Sequence, residues 1–121
     1  MRFGLNTFLV SPEFTDADLP LIATFEKYGA QLVELAIVEP ASVSVSKLKA
    51  ALASSSLEQP VICGAFGSGR DLRGSPSEVK NATHYVSELI EINKYKELKE
   101  TKKGRPKSPF FHNCTLVRLI Y

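Results

Sequence analysis

The chain is 121 residues long and 44% hydrophobic, with a formal net charge of +2. That length and apolar content suit one packed domain and exclude a disordered tail. The small net charge gives global electrostatics no hold on nucleic acid or a membrane surface, although a local basic cluster exists near the C-terminus.

The start of the chain, MRFGLNTFLV, is only a short apolar run, and Pro12, Glu13, Asp16 and Asp18 follow it. This fits neither a signal peptide nor a membrane span, so a cytoplasmic protein is expected. Arg2 to Phe8 has the composition of a first strand. A helix is predicted over about Asp16 to Tyr28, with Thr15 and Asp18 as a variant capping box, Pro20 in the first turn and Gly29 at a left-handed C-cap. Leu19, Ile22, Ala23 and Phe25 form its apolar stripe.

Gln31 to Val38 reads as the second strand. A short helix is expected over Ser44 to Ser54, with Leu48, Ala51 and Leu52 inward and Lys47 and Lys49 outward. Pro60 to Phe66 is the third strand. The strand starts recur about every thirty residues, and strands alternating with helices at this interval argue for βα units on a parallel sheet.

The stretch GSGRDLRGSPSEV, residues 67 to 79, poses a choice between a phosphate-cradling loop and an ordinary strand-to-helix turn. A dinucleotide fingerprint fails because Leu72 stands at its third glycine position. A P-loop fails because Ser75 and Pro76 follow Gly74 where lysine and Ser/Thr are required. Ser75 can instead cap a helix, with Pro76 at its first position and Glu78 reaching back to the cap amide. Val79, Ala82, Val86, Leu89 and Ile90 then continue at helical spacing. Gly64, Gly67 and Gly69 loosen the chain as it leaves the third strand, and Arg70, Asp71 and Arg73 are read as rim charges, solvated or paired with each other.

After about Asn93 the pattern changes. Lys94 to Lys107 holds seven basic and two acidic residues, and only Thr115 to Tyr121 could serve as a further strand. The segment KKGRPK, residues 102 to 107, resembles an AT-hook core, with Lys103 where that motif's first arginine would stand and only one copy. A solvated lysine-rich tail is the more economical reading, and no nucleic-acid partner is expected.

Cys63 and Cys114 are too few and too far apart for a disulfide framework or a CxxC zinc site. With His84 and His112 as the only histidines, no autonomous metal site is expected. Cys63 on a strand reads as a small buried hydrophobe.

LVELAI (32 to 37), VICGAFG (61 to 67) and RDLRGSPSEV (70 to 79), followed by a helix carrying Tyr85 and Leu89, resemble the xylose-isomerase-like TIM barrel proteins. Within them the resemblance is to the sugar phosphate isomerase/epimerase group that includes the ketose 3-epimerases. GLNTFLVSPEF (4 to 14) is similar to that group's first strand and the segment after it. The resemblance covers roughly residues 1 to 92 and implies a partial (β/α)8 barrel of three to four βα units over 1 to 93, then a divergent basic tail over 94 to 121. It also implies ketose chemistry in which a divalent manganese, cobalt or magnesium ion polarises the sugar oxygens while two glutamates exchange a proton.

The family's metal ligands and both glutamates come from later strands, so no catalytic residue and no metal ligand is carried over to this chain. The resemblance carries over pocket-wall residues only: Asn6, Phe14 as an apolar lid, Cys63 and Phe66, with Phe8 beside them and Glu34 as rim support. A complete barrel needs eight βα units. The expectation is therefore an N-terminal part of a sugar isomerase/epimerase-like protein, inactive alone, with a sugar and a complementing C-terminal half or a homo-oligomer as partners. The alternatives are a small open α/β binding module that forms a homodimer, and a DNA-binding protein acting through KGRPK.

Overall fold

A computed structural model describes residues 3–57 and 60–94, together with the backbone of 117–120. The first strand, β1, is Gly4–Asn6. It is shorter than the predicted strand because the Asn6 side chain accepts the Phe8 N–H at 2.7 Å and turns Thr7–Leu9 into a 3-10 turn. Asparagine competes well for nearby amides in this way, which ends extended structure.

Residues Asp16–Asp18 form a second 3-10 turn with the expected capping box, in which Thr15 and Asp18 exchange side-chain to backbone bonds. The first helix, α1, is Pro20–Lys27, starting later than predicted. Pro20 has no amide to donate back to residue 16, so the α ladder begins at the proline rather than running through it. Ile22 and Phe25 are buried as expected, whereas Ala23 is exposed. Gly29 ends the unit with φ of 85°, a conformation that side-chain-bearing residues adopt only with strain.

Strand β2 is Leu32–Ile37, helix α2 is Val45–Ala53 and strand β3 is Val61–Ala65. In α2, Leu48 and Leu52 are buried and Ala51 is half-buried. Lys47 points to solvent and pairs with Asp16 at 2.8 Å, but Lys49 is half-buried. Helix α3, Pro76–Asn93, has the predicted start: Ser75 and Glu78 form a capping box around Pro76. Its buried stripe is Ala82, Tyr85, Leu89 and Ile92; Ile90 is 36% exposed and off that stripe. Strand β4, Val117–Ile120, lies inside the segment expected to supply a further strand.

All four strands are parallel, in the order β1-β2-β3-β4. Strand alternation divides the sheet into two faces. Val33, Leu35, Ile37 and Ile62 join one hydrophobic cluster with Phe14, Ile22, Phe25, Leu48, Leu52, Tyr85 and Leu89. The register then puts Gly4 and Asn6 of β1, Leu32, Glu34 and Ala36 of β2, and Val61, Cys63 and Ala65 of β3 on the opposite face. Sequential parallel strands with helices on one side form the wall of a partial barrel, and among the described residues the sheet is open, with β1 and β4 at its edges.

The segment KKGRPK and Cys114 lie outside the described residues. No described helix is long and apolar enough to cross a membrane.

Candidate functional site at the carboxyl end of the sheet

In parallel α/β sheets, ligand chemistry gathers where the strands end at their carboxyl termini. Here that end is built from the exits of β1, β2 and β3. Asn6, the last residue of β1, stands in register with Glu34 and donates its side-chain amide to the Glu34 carboxylate at 2.6 Å. The same side chain caps the following turn with its carbonyl oxygen. Asn6 is therefore held at both ends, which fixes its orientation on the face away from the helices. The next residue, Thr7, is fully buried and accepts the Ala36 N–H on its hydroxyl oxygen at 2.8 Å.

Cys63 lies on the same face, in register with Ala36, and has no exposed surface. Phe14 is also fully buried, in the hydrophobic core, and its N–H donates to the Ala36 carbonyl at 2.7 Å. Phe8 is 37% exposed at the exit of β1. Phe66 is half-buried just past β3, its ring edge-on to Tyr85 at a centroid distance of 5.9 Å. The fold thus brings Asn6, Glu34 and Cys63 onto one sheet face, packs Phe66 against Tyr85 just past the end of β3 and sets Phe14 in the core.

A connection missing from the sequence reading runs through Tyr85 and Arg70. The Tyr85 hydroxyl donates to the Ile37 carbonyl at 2.6 Å and accepts the Ala65 N–H at 2.9 Å. These groups lie at the paired ends of β2 and β3, so one phenol bridges the two strands where their direct ladder stops. Burial comes first among the effects raising the Tyr85 pKa above the usual tyrosine value, and the donated Ala65 amide and nearby Arg70 oppose it.

Arg70 packs over the same ring with its guanidinium carbon 4.3 Å from the centroid. It donates to the Val38 carbonyl at 3.1 Å and stands 4.0 Å from the Glu39 carboxylate. Its side chain is only 19% exposed, so it ties the exits of β2 and β3 to α3 rather than pairing within its own loop. Asp71 and Arg73 do pair with each other, at 3.6 Å. Together with Phe66, Gly67, Arg70 and Glu78 they line a polar hollow open to solvent. The signal that could have found Tyr85 is its spacing from Ala82 and Leu89 on α3. Its pairing with two strand ends depends on tertiary placement.

No three His, Cys, Asp or Glu side chains among the described residues gather as a metal-binding group. The one carboxylate on the open face among the described residues, Glu34, is already engaged by Asn6. The described residues therefore do not fit the divalent ion that the family resemblance implies.

Neither a family model nor a curated protein matches the sequence. A solved structure does match: N-terminal His-tagged D-allulose 3-epimerase from Methylomonas sp. in complex with D-allulose, with a TM-score of 0.68 and 17% sequence identity. The match covers 76% of this chain and 32% of the epimerase chain, so this chain spans about a third of that protein's length. The likeness is one of fold: the chain is a mixed α/β protein with the parallel sheet of a partial TIM-barrel-like structure.

Proposed function

We propose that this chain forms the first wall of a sugar isomerase/epimerase-like barrel and that its 121 residues alone do not turn over a ketose. The fold shared with a D-allulose 3-epimerase carries this reading. Epimerisation beside a carbonyl needs one group to remove a proton and another to return one, with stabilisation of the enediolate between them. Among the described residues the open face offers Glu34 alone, and that carboxylate is committed to Asn6.

The role of the wall is to bind and orient. Asn6 and Glu34 present fixed polar atoms to sugar hydroxyls. Phe8, exposed at the exit of β1, and Phe66, half-buried past β3, offer apolar surface to the carbon face of the sugar, as aromatic side chains do in concave sites. Cys63, fully buried on the same face, lies beneath them, while Phe14 belongs to the hydrophobic core. The divalent ion that the resemblance implies, manganese, cobalt or magnesium, finds no fitting group among the described residues.

Two readouts on one sample test this reading. The purified chain is incubated with manganese or cobalt and a panel of ketoses, and C3 epimers are sought; none are expected. The Asn6 side-chain amide resonances are followed by NMR during titration with D-allulose, and a saturable shift at millimolar sugar is expected, about the strength of a few polar contacts. Turnover by the chain alone would sink the claim that it lacks the reacting groups. A silent Asn6 amide would remove it from the sugar wall.

A further inference from the structure

Of the exposed large apolar side chains among the described residues, four lie around one sheet edge, while Tyr28, Leu72 and Ile90 stand elsewhere. Phe3 is 47% exposed, Phe8 37%, Leu9 70% and Val10 60%, so all four flank or directly follow β1. Exposed apolar side chains beside an open sheet edge are the kind of surface that a partner strand covers.

The backbone beside these residues is unpaired in the same direction. The Phe3 carbonyl accepts amides from Gln31 and Leu32, on the β2 side. Because successive residues of a strand turn their amide and carbonyl to opposite sides, Gly4 aims both groups, and Asn6 its amide, away from β2, while the Asn6 carbonyl caps the following 3-10 turn. No strand of the described residues meets them there. The far edge of the sheet, β4, is parallel to β1 and of similar length, four residues against three.

We infer that two copies of this chain close one eight-stranded barrel, with β4 of each copy pairing in parallel with β1 of the other. Each copy contributes four sequential parallel strands with helices on one face, which is half of the eight strands such a barrel requires. A twofold axis along the barrel axis forms both β4 to β1 seams with one operation and leaves no free edge. The two Glu34 side chains then stand four strands apart in a ring of eight, on opposite walls of a shared interior. This inference rests on the partial-barrel reading above and specifies what completes the barrel.

The full chain is examined by sedimentation equilibrium together with hydrogen exchange resolved at single amides. The expected result is one species of twice 13.3 kDa, with the Gly4 and Asn6 amides protected in the dimer and released on dilution. Phe3→Lys is expected to weaken dimerisation by about tenfold or more, since it trades buried aromatic surface for a charge. If far-UV circular dichroism shows that variant unfolded, Leu9→Lys, in the turn beyond the strand, takes its place with the same expected effect.

A folded monomer would overturn the closure while leaving the partial-barrel reading intact, because another polypeptide could then fill the gap. A dimer whose Gly4 and Asn6 amides exchange at free rates would also overturn it, since the copies would meet elsewhere. Open-ended assemblies would do the same. Ketose turnover bears only on the functional reading and not on this inference.

Discussion

At the scale of single residues, Tyr85 does the most to shape the candidate site. Its ring is 1% exposed, packed by Phe66 on one side and Arg70 over its face, and its hydroxyl joins the ends of two strands. Tyr85→Phe keeps the packing and removes the bridge, leaving the Ile37 carbonyl and the Ala65 amide without this partner. The expected cost is about 1–3 kcal/mol in urea denaturation, the range for stranding buried polar groups. A loss well under that range would mean that the strand ends re-pair directly. Tyr85 enters the sequence reading only through the family resemblance, since the helical stripe read from spacing runs through Val86 and Ile90 instead. Its hydroxyl chemistry was not legible there, because Ile37 lies 48 positions away and nothing in local sequence records that separation.

At the scale of elements, three carboxylates fasten the joints between helices and loops. Asp16 accepts from the Lys47 ammonium and the Ser44 amide, tying the turn before α1 to the start of α2. Glu26 accepts the Ser56 hydroxyl and amide, fixing the end of α1 to the segment after α2. Glu78 accepts from the Ser75 hydroxyl and amide at the head of α3. These side-chain hydrogen bonds are the leading cause in each case, and all three carboxyls are held below their ordinary pKa. A folded-state pKa below the unfolded value means that the unfolded chain binds protons first as pH falls. Stability from these groups is full above the ordinary carboxylate range and is lost as pH drops through it towards the folded values. Urea midpoints should therefore fall between pH 6 and pH 3, and Asp16→Asn should flatten part of that slope; an unchanged slope in the variant would remove Asp16 from the account. Of these joints, the Ser75–Glu78 cap was readable in the sequence because it is local. The Asp16 to Lys47 and Glu26 to Ser56 links span about thirty residues, one βα unit, and needed the fold.

At the scale of the whole molecule, one hydrophobic cluster runs from Phe14 through Leu35 and Ile62 to Ile92, drawing on all three α-helices and strands β2 and β3. With no second core among the described residues to unfold separately, tyrosine fluorescence and far-UV circular dichroism should report a single coincident urea transition for this body. Two separated midpoints would show that α3 and the first βα units unfold independently. The sequence by itself determined the alternation of strands and helices, the parallel arrangement and the start of α3, because hydrophobic periodicity and capping are short-range properties of the chain. The tertiary structure alone decided that Asn6 meets Glu34, that Tyr85 and Arg70 brace the carboxyl ends of β2 and β3, and that four exposed apolar side chains lie around β1. Those relations join residues from different βα units, and only the register and packing of the sheet bring them within bonding distance.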